Sequence, residues 1–231
     1  MGRFTTKIST SDPINTNSNL ASSPNYTPPT YTPTSSQSYL QNISWPTVFP
    51  KPVIGLELEG VIVQDLETPL TSSSQIEFIP GSIEAIRSLR LKGHRLMIIT
   101  DQPGIQRGVQ TSQQFESIMQ YLMQAFGQAG IMTIDGVLYS ISNLKEDEYA
   151  KPNDGMFLKS AKDLGVVWNN GWFVGHQLKD ARAADRVGAT PVILKTGRWE
   201  ETMRVIKMHA NRELYKKTQV FNNLQEFADS L

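Results

Sequence analysis

The stretch "PVIGLELEGVIV", Pro52 to Val63, decides the fold. Val53, Ile54 and Leu56 form the apolar run of a strand buried on both faces, and Gly60 marks the turn that follows. Glu57 and Glu59 stand where that strand ends, at positions that a purely structural strand fills with apolar side chains. Two carboxylates there require either a turn to cap or a chemistry to perform.

Downstream, short apolar runs alternate with amphipathic segments. "PGSIEAIRSLRLKG" predicts a helix with Ile83, Ile86 and Leu89 on one face and Gly93 ending it. "HRLMIIT" predicts the second strand. "TSQQFESIMQYLMQAFGQAG" sets Phe115, Ile118, Met119, Leu122, Met123 and Phe126 at helical spacing, the pattern of a core face. "TIDGVLYSI" is a third strand, "NDGMFLKSAKDLG" a helix capped by Asn153 or Asp154, and "GWFVG" a fourth strand. "QLKDARAADRVGA" is a helix and "TPVILKTG" a fifth strand. "RWEETMRVIKMHANREL" and "NLQEFADSL" are helical. This alternation predicts an α/β domain over residues 51–231: a Rossmann-like parallel sheet with helices on both faces. Function in such sheets gathers at the carboxyl ends of the strands.

Composition changes near residue 50. Residues 1–50 carry three charged side chains, Arg3, Lys7 and Asp12, among Ser, Thr, Asn, Gln, Tyr and Pro. A segment so poor in apolar surface does not offset its ordering entropy alone. It reads as an extended low-complexity arm, with prolines favouring polyproline II and tyrosines available to pack on other protein chains. Across the chain, 22 basic and 22 acidic residues leave no basic field that specifies nucleic acid. No cysteine is present, which excludes disulfides, zinc-cysteine sites and a cysteine nucleophile. With no long apolar span and no signal-peptide core, the expectation is a soluble protein, intracellular or held within a particle and not secreted.

The predicted strand ends bring together Glu57 and Glu59, Thr100 and Asp101, the stretch around Lys151, and Gly175, His176 and Asp180. Each has an ordinary explanation singly, as a turn residue, a solvated lysine or a structural histidine. At the ends of successive strands, carboxylates, a hydroxyl and a lysine suit phosphate and a divalent cation.

The order of motifs resembles the haloacid dehalogenase-like (HAD) phosphatase superfamily, in its histidinol-phosphate and heptose-bisphosphate phosphatase branch. The residues that carry the resemblance are "ELEG" at Glu57 to Gly60, "PGS" at Pro80 to Ser82, "TDQPGIQRG" at Thr100 to Gly108, "KPNDGM" at Lys151 to Met156, "GHQLKD" at Gly175 to Asp180, and "TG" at Thr196 and Gly197. The resemblance implies a nucleophile at Glu57, an acid and base at Glu59, phosphate holders at Thr100 and Lys151, and a substrate-side arginine at Arg107. It implies a metal at Glu57, His176 and Asp180.

Three of these positions depart from the family pattern, which has aspartate at 57, 59 and 176. An extra methylene displaces each carboxylate by about a bond length, and misplacement of about 1 Å costs on the order of a hundredfold in rate. An imidazole at 176 replaces the anionic oxygen that magnesium prefers. The branch's Cys/His zinc loop is replaced by "YSISNLKEDEYAKP", where Glu146, Asp147 and Glu148 are acidic. From these departures the expectation is a catalytically silent, pseudoenzyme scaffold: a structural or interaction protein in a larger assembly, such as a virion or ribosome-like particle, reaching other chains through residues 1–50. The alternative is a divergent metal-dependent phosphatase acting on a small phosphomonoester. No cofactor is expected under the first reading, and magnesium or manganese under the second. Glu57, Glu59, His176 and Asp180 also offer a mixed ligand set suited to manganese, zinc or iron, and Lys151 paired with Glu57 would be a structural ion pair closing the pocket.

Overall fold

A computed structural model describes residues 52–66 and 68–231. The arm expected at 1–50 and its contacts lie outside the described residues. Six strands make one parallel sheet: β1 (Ile54–Leu56), β2 (Leu96–Asp101), β3 (Gly136–Ser140), β4 (Trp172–Gly175), β5 (Thr190–Leu194) and β6 (Gln219–Phe221), in the order β3-β2-β1-β4-β5-β6. The helices are α1 (Ser82–Leu91), α2 (Pro103–Gln106), α3 (Ser112–Gln128), α4 (Gly155–Leu164), α5 (Leu178–Arg186), α6 (Trp199–Ile206), α7 (Arg212–Lys217) and α8 (Leu224–Asp229). The parallel, doubly covered sheet expected from the sequence is the observed one.

Strand alternation assigns side chains to the two layers. Ile54, Leu56 and Ile98 join Ile86, Leu89, Phe115, Leu122 and Phe227 in one apolar cluster. Met97, Ile99 and Phe173 face the other way, onto Phe157, Trp168 and Ala183. There Phe157 packs edge-on against Phe173, ring centroids 5.0 Å apart, and Trp168 Nε1 donates to Ser160 Oγ at 2.9 Å. Each large apolar side chain so buried contributes about 1.5–3 kcal/mol relative to exposure. Among the described residues, no helix is long and apolar enough to cross a membrane.

Two elements differ from the sequence reading. The helical stretch expected over 198–214 is not one helix: Met208 is extended (φ −64°, ψ 147°), and the chain restarts as α7 after a short 3-10 turn. The segment at 219–221 forms a sixth strand beside β5. Asp154 is the N-cap of α4 without a side-chain cap bond, while Asn153 donates instead to the carbonyls of Lys145 and Asp147.

β1 places the site. It is central, flanked by β2 and β4, so its carboxyl end meets theirs. The Glu57 N–H still donates to Val174 O at 2.9 Å, and the chain then turns back on itself, Gly60 N–H donating to Val63 O at 2.7 Å. Two distant hydroxyls fix that turn: Ser82 Oγ donates to Ile62 O at 2.8 Å, and Thr196 Oγ1 donates to Gly60 O.

Candidate active site

Glu57 leaves β1 pointing at Lys151. Lys151 Nζ contacts Glu57 Oε2 and lies 2.8 Å from Asp180 Oδ1, with the lysine side chain fully buried. Burial pulls the Lys151 ammonium down to about 8 against the raising influence of Asp180. Burial also acts to raise Asp180, but attraction to Lys151 and Lys179 outweighs it and holds that carboxyl at about 2. Lys151 and Asp180 are therefore both ionised at neutral pH. Asp180 Oδ2 additionally accepts from the backbone N–H of His176 and of Gln177, at 3.2 and 3.0 Å. Gly175 permits this: a Cβ there would come within 2.4 Å of Asp180.

Glu59 sits in a different environment. Thr100 Oγ1 donates to its Oε2 at 3.2 Å and Gln102 Nε2 donates to its Oε1 at 3.0 Å. Burial raises its carboxyl above the usual range, and the hydrogen bonds from Gln102 and Thr100 oppose that only in part. Two carboxylates two residues apart are thus split in character, one against an ammonium and one driven toward its acid form, the arrangement by which acid and base roles are separated.

Both face a cavity of about 170 Å³, with Asp65, Asp101, Gln102, Arg107, His176 and Lys179 among its lining residues. Lys179 Nζ lies 2.7 Å from Asp101 Oδ2. Burial opposes charge on Lys179, yet Asp101, Asp180 and Glu59 raise it, so it stays a cation; burial lifts Asp101 to about 6 despite Lys179. Of the residues expected to hold phosphate, Thr100 is fully buried and spent on Glu59, and Lys151 lies behind Glu57. The cations that line the cavity are Lys179 and the exposed Arg107.

His176 is buried between two glycines. A Cβ on Gly60, whose φ is +77°, would fall 2.3 Å from its Nδ1, and one on Gly197 2.7 Å from its Cδ2. Its Nε2 is 3.1 Å from Asp65 Oδ2. That hydrogen bond holds the Asp65 carboxyl below the ordinary range, helped by the charges of Arg198 and Lys179. Asp65, Gln102 and Lys179 escaped the sequence reading; the one available signal was a lysine in the first turn of α5, where an acidic residue suits the helix dipole better.

The chain has known relatives. The HAD-hydrolase-like family matches residues 148–227. D-glycero-beta-D-manno-heptose-1,7-bisphosphate 7-phosphatase of Vibrio cholerae is 31% identical over 157 residues, covering 64% of this chain and 83% of the relative. The chain belongs to the HAD superfamily, in its heptose-bisphosphate phosphatase branch. The Pseudomonas putida enzyme of the same name is 29% identical over 177 residues, 76% of this chain and 97% of the relative. A solved HAD structure, D,D-heptose 1.7-bisphosphate phosphatase from B. bronchiseptica complexed with magnesium and phosphate, superposes with a TM-score of 0.70 at 24% identity, covering 78% of this chain and 97% of that one.

These HAD relatives overturn the expectation of a catalytically silent structural protein in a virion or ribosome-like particle. Proteins matched over most of their length carry the name of phosphatases. The expectation failed because it weighed the three substitutions together but without the neighbours that surround them. Gln102, Asp65 and Lys179 surround the longer side chains, and the two carboxylates still share one cavity.

The magnesium that the resemblance assigns to this HAD site does not fit the residues as they stand. Glu57 is in contact with Lys151, Asp180 is committed to Lys151 and two amides, and His176 to Asp65, its Nδ1 buried without a hydrogen-bond partner. A hard octahedral cation finds there an imidazole and no free carboxylate. Among the described residues, no group of three or more His, Cys, Asp or Glu side chains is placed to hold a metal ion.

Proposed function

We infer that the protein is a phosphatase that hydrolyses a small phosphomonoester by way of Glu57 and Glu59. The observation that supports this reading is the split pair: Glu57 beside an ammonium and Glu59 pushed toward its acid form, facing one cavity with Lys179 and Arg107. The names of the relatives support the same reaction class.

In this reading Lys179 and Arg107 take the non-bridging phosphate oxygens. A Glu57 oxygen attacks phosphorus while the ester oxygen departs, and Glu59 gives its proton to that oxygen. The products of this step are an alcohol and an acyl phosphate on Glu57. Glu59, now a carboxylate, takes a proton from water as the water oxygen attacks phosphorus; the bond to Glu57 breaks, releasing inorganic phosphate and restoring both residues. Lys151 holds Glu57 in place and Thr100 and Gln102 hold Glu59, the positioning on which phosphoryl transfer depends.

The test is release of inorganic phosphate from p-nitrophenyl phosphate and a panel of sugar phosphates by the full-length protein, in EDTA, magnesium and manganese. Turnover that falls about a hundredfold or more in Glu57→Gln is the expected result. No release under any condition, or equal release by the variant, overturns the reading.

A further inference from the structure

The 170 Å³ cavity is smaller than the roughly 300–1,000 Å³ of ordinary ligand pockets. It suits a phosphoryl group, and the rest of a substrate must lie elsewhere. Next to it opens a groove of about 600 Å³ that shares Gln177 and Lys179 with the cavity. Its charged lining residues are Lys145, Lys179, Arg182, Arg186 and Arg198 against the single acid Glu201.

That imbalance is local, because the chain as a whole is neutral. Among the described residues, Lys145, Arg182, Arg186 and Arg198 make no ion pair; Arg186 reaches only the neutral Asn153 at 2.9 Å, and Arg182 the neutral Asn211 at 3.4 Å. Lys179, Arg182 and Arg186 recur at helical spacing on α5, so they form one row, and Arg182 and Arg186 repel at i,i+4 while the neighbouring Asp185 pairs with Lys217. From Lys179 to Arg186 the row runs about 10 Å at 1.5 Å per residue. No aromatic side chain lines the groove, so nothing in it stacks on a base or a sugar.

We propose that this groove binds the leaving group of the substrate, and that the leaving group carries a chain of further phosphates: a short single-stranded oligonucleotide end or a polyphosphorylated small molecule. The proposal rests on the phosphatase reading for the direction in which the substrate lies. A single additional phosphate leaves most of the row unanswered, whereas about three phosphates span it. Recognition is by charge and spacing, so base identity is not read.

The test is calorimetric titration of the full-length protein with 5′-phosphorylated trithymidylate, myo-inositol hexakisphosphate and glucose 6-phosphate, alongside phosphate release. The expected result is that at least one polyanion binds about tenfold or more tightly than glucose 6-phosphate at low salt, with a log–log salt slope near −2 for the trinucleotide. The tighter polyanion identifies the source. Arg182→Gln with Arg186→Gln, folded by its unchanged thermal midpoint, brings all ligands within about threefold of one another. Equal binding of all three by the natural protein, or a preference that survives the double substitution, overturns the proposal. Groove-dependent binding without phosphate release removes the phosphatase reading and leaves the groove; release from glucose 6-phosphate without polyanion preference does the reverse.

Discussion

Lys151 Nζ lies 2.8 Å from Asp180 Oδ1, and neither side chain is more than 1% exposed. Removing the charge of Asp180 leaves a buried ammonium short of a partner, so Asp180→Asn should lower unfolding free energy by about 3–5 kcal/mol at neutral pH. Because the folded Asp180 carboxyl is held at about 2, below its unfolded value near 3.9, its stabilisation is complete above about pH 4 and is lost as pH falls toward 2. Urea denaturation at pH 7 and pH 3 checks both points: the gap between natural protein and variant should narrow at pH 3, and a constant gap would count against the ion pair.

Phosphate release should decline at alkaline pH. Lys151, lowered to about 8, loses its proton above that value and no longer balances the charge beside Glu57. A pH profile of kcat/KM should fall by about tenfold per unit above pH 8. A plateau extending to pH 10 would remove Lys151 from the reaction.

Glu59→Gln should separate leaving groups. The amide occupies the same place beside Gln102 and Thr100 but has no acidic proton to give. Turnover on an alkyl phosphate should drop by about 10²–10⁴, and much less on p-nitrophenyl phosphate, whose leaving group needs little protonation. Equal losses on both would assign Glu59 a structural role instead.

The metal mismatch also has a measurable consequence. Adding magnesium should leave the thermal midpoint of the natural protein unchanged, whereas Glu57→Asp, Glu59→Asp, His176→Asp should gain a magnesium-dependent rise. A clear magnesium shift in the natural protein would show that Lys151 yields Glu57 to the ion.

The layers of the fold were legible because they follow from periodicity. Met97, Ile98 and Ile99 can only belong to a strand with both faces covered, and Phe115, Ile118, Leu122 and Phe126 only to a helix with one buried side. The strand at 219–221 was not legible, since a three-residue edge strand with no fully buried side chain leaves no pattern. At the site, Glu57, Glu59, His176 and Asp180 were visible as polar residues at strand ends. Their partners were not: Asp65 arrives through a turn, Gln102 follows β2 by one residue, and Lys179 is indistinguishable in sequence from a solvated helix lysine. The mistaken expectation of silence came from that gap, because a carboxylate's character depends on neighbours that motif spacing does not reveal.

Among the described residues β1 is both the first strand in sequence and a central strand of the sheet, with β2 and β4 on its two sides. Glu57 and Glu59 therefore precede the side chains that hold them, Thr100 and Gln102 for Glu59 and Lys151 for Glu57. The pairing of β1 with β4 closes a long loop and is slow by topology. Two unsatisfied carboxylates on an unfinished sheet edge discourage premature strand pairing there, so the residues that serve the finished site also guard the half-made one.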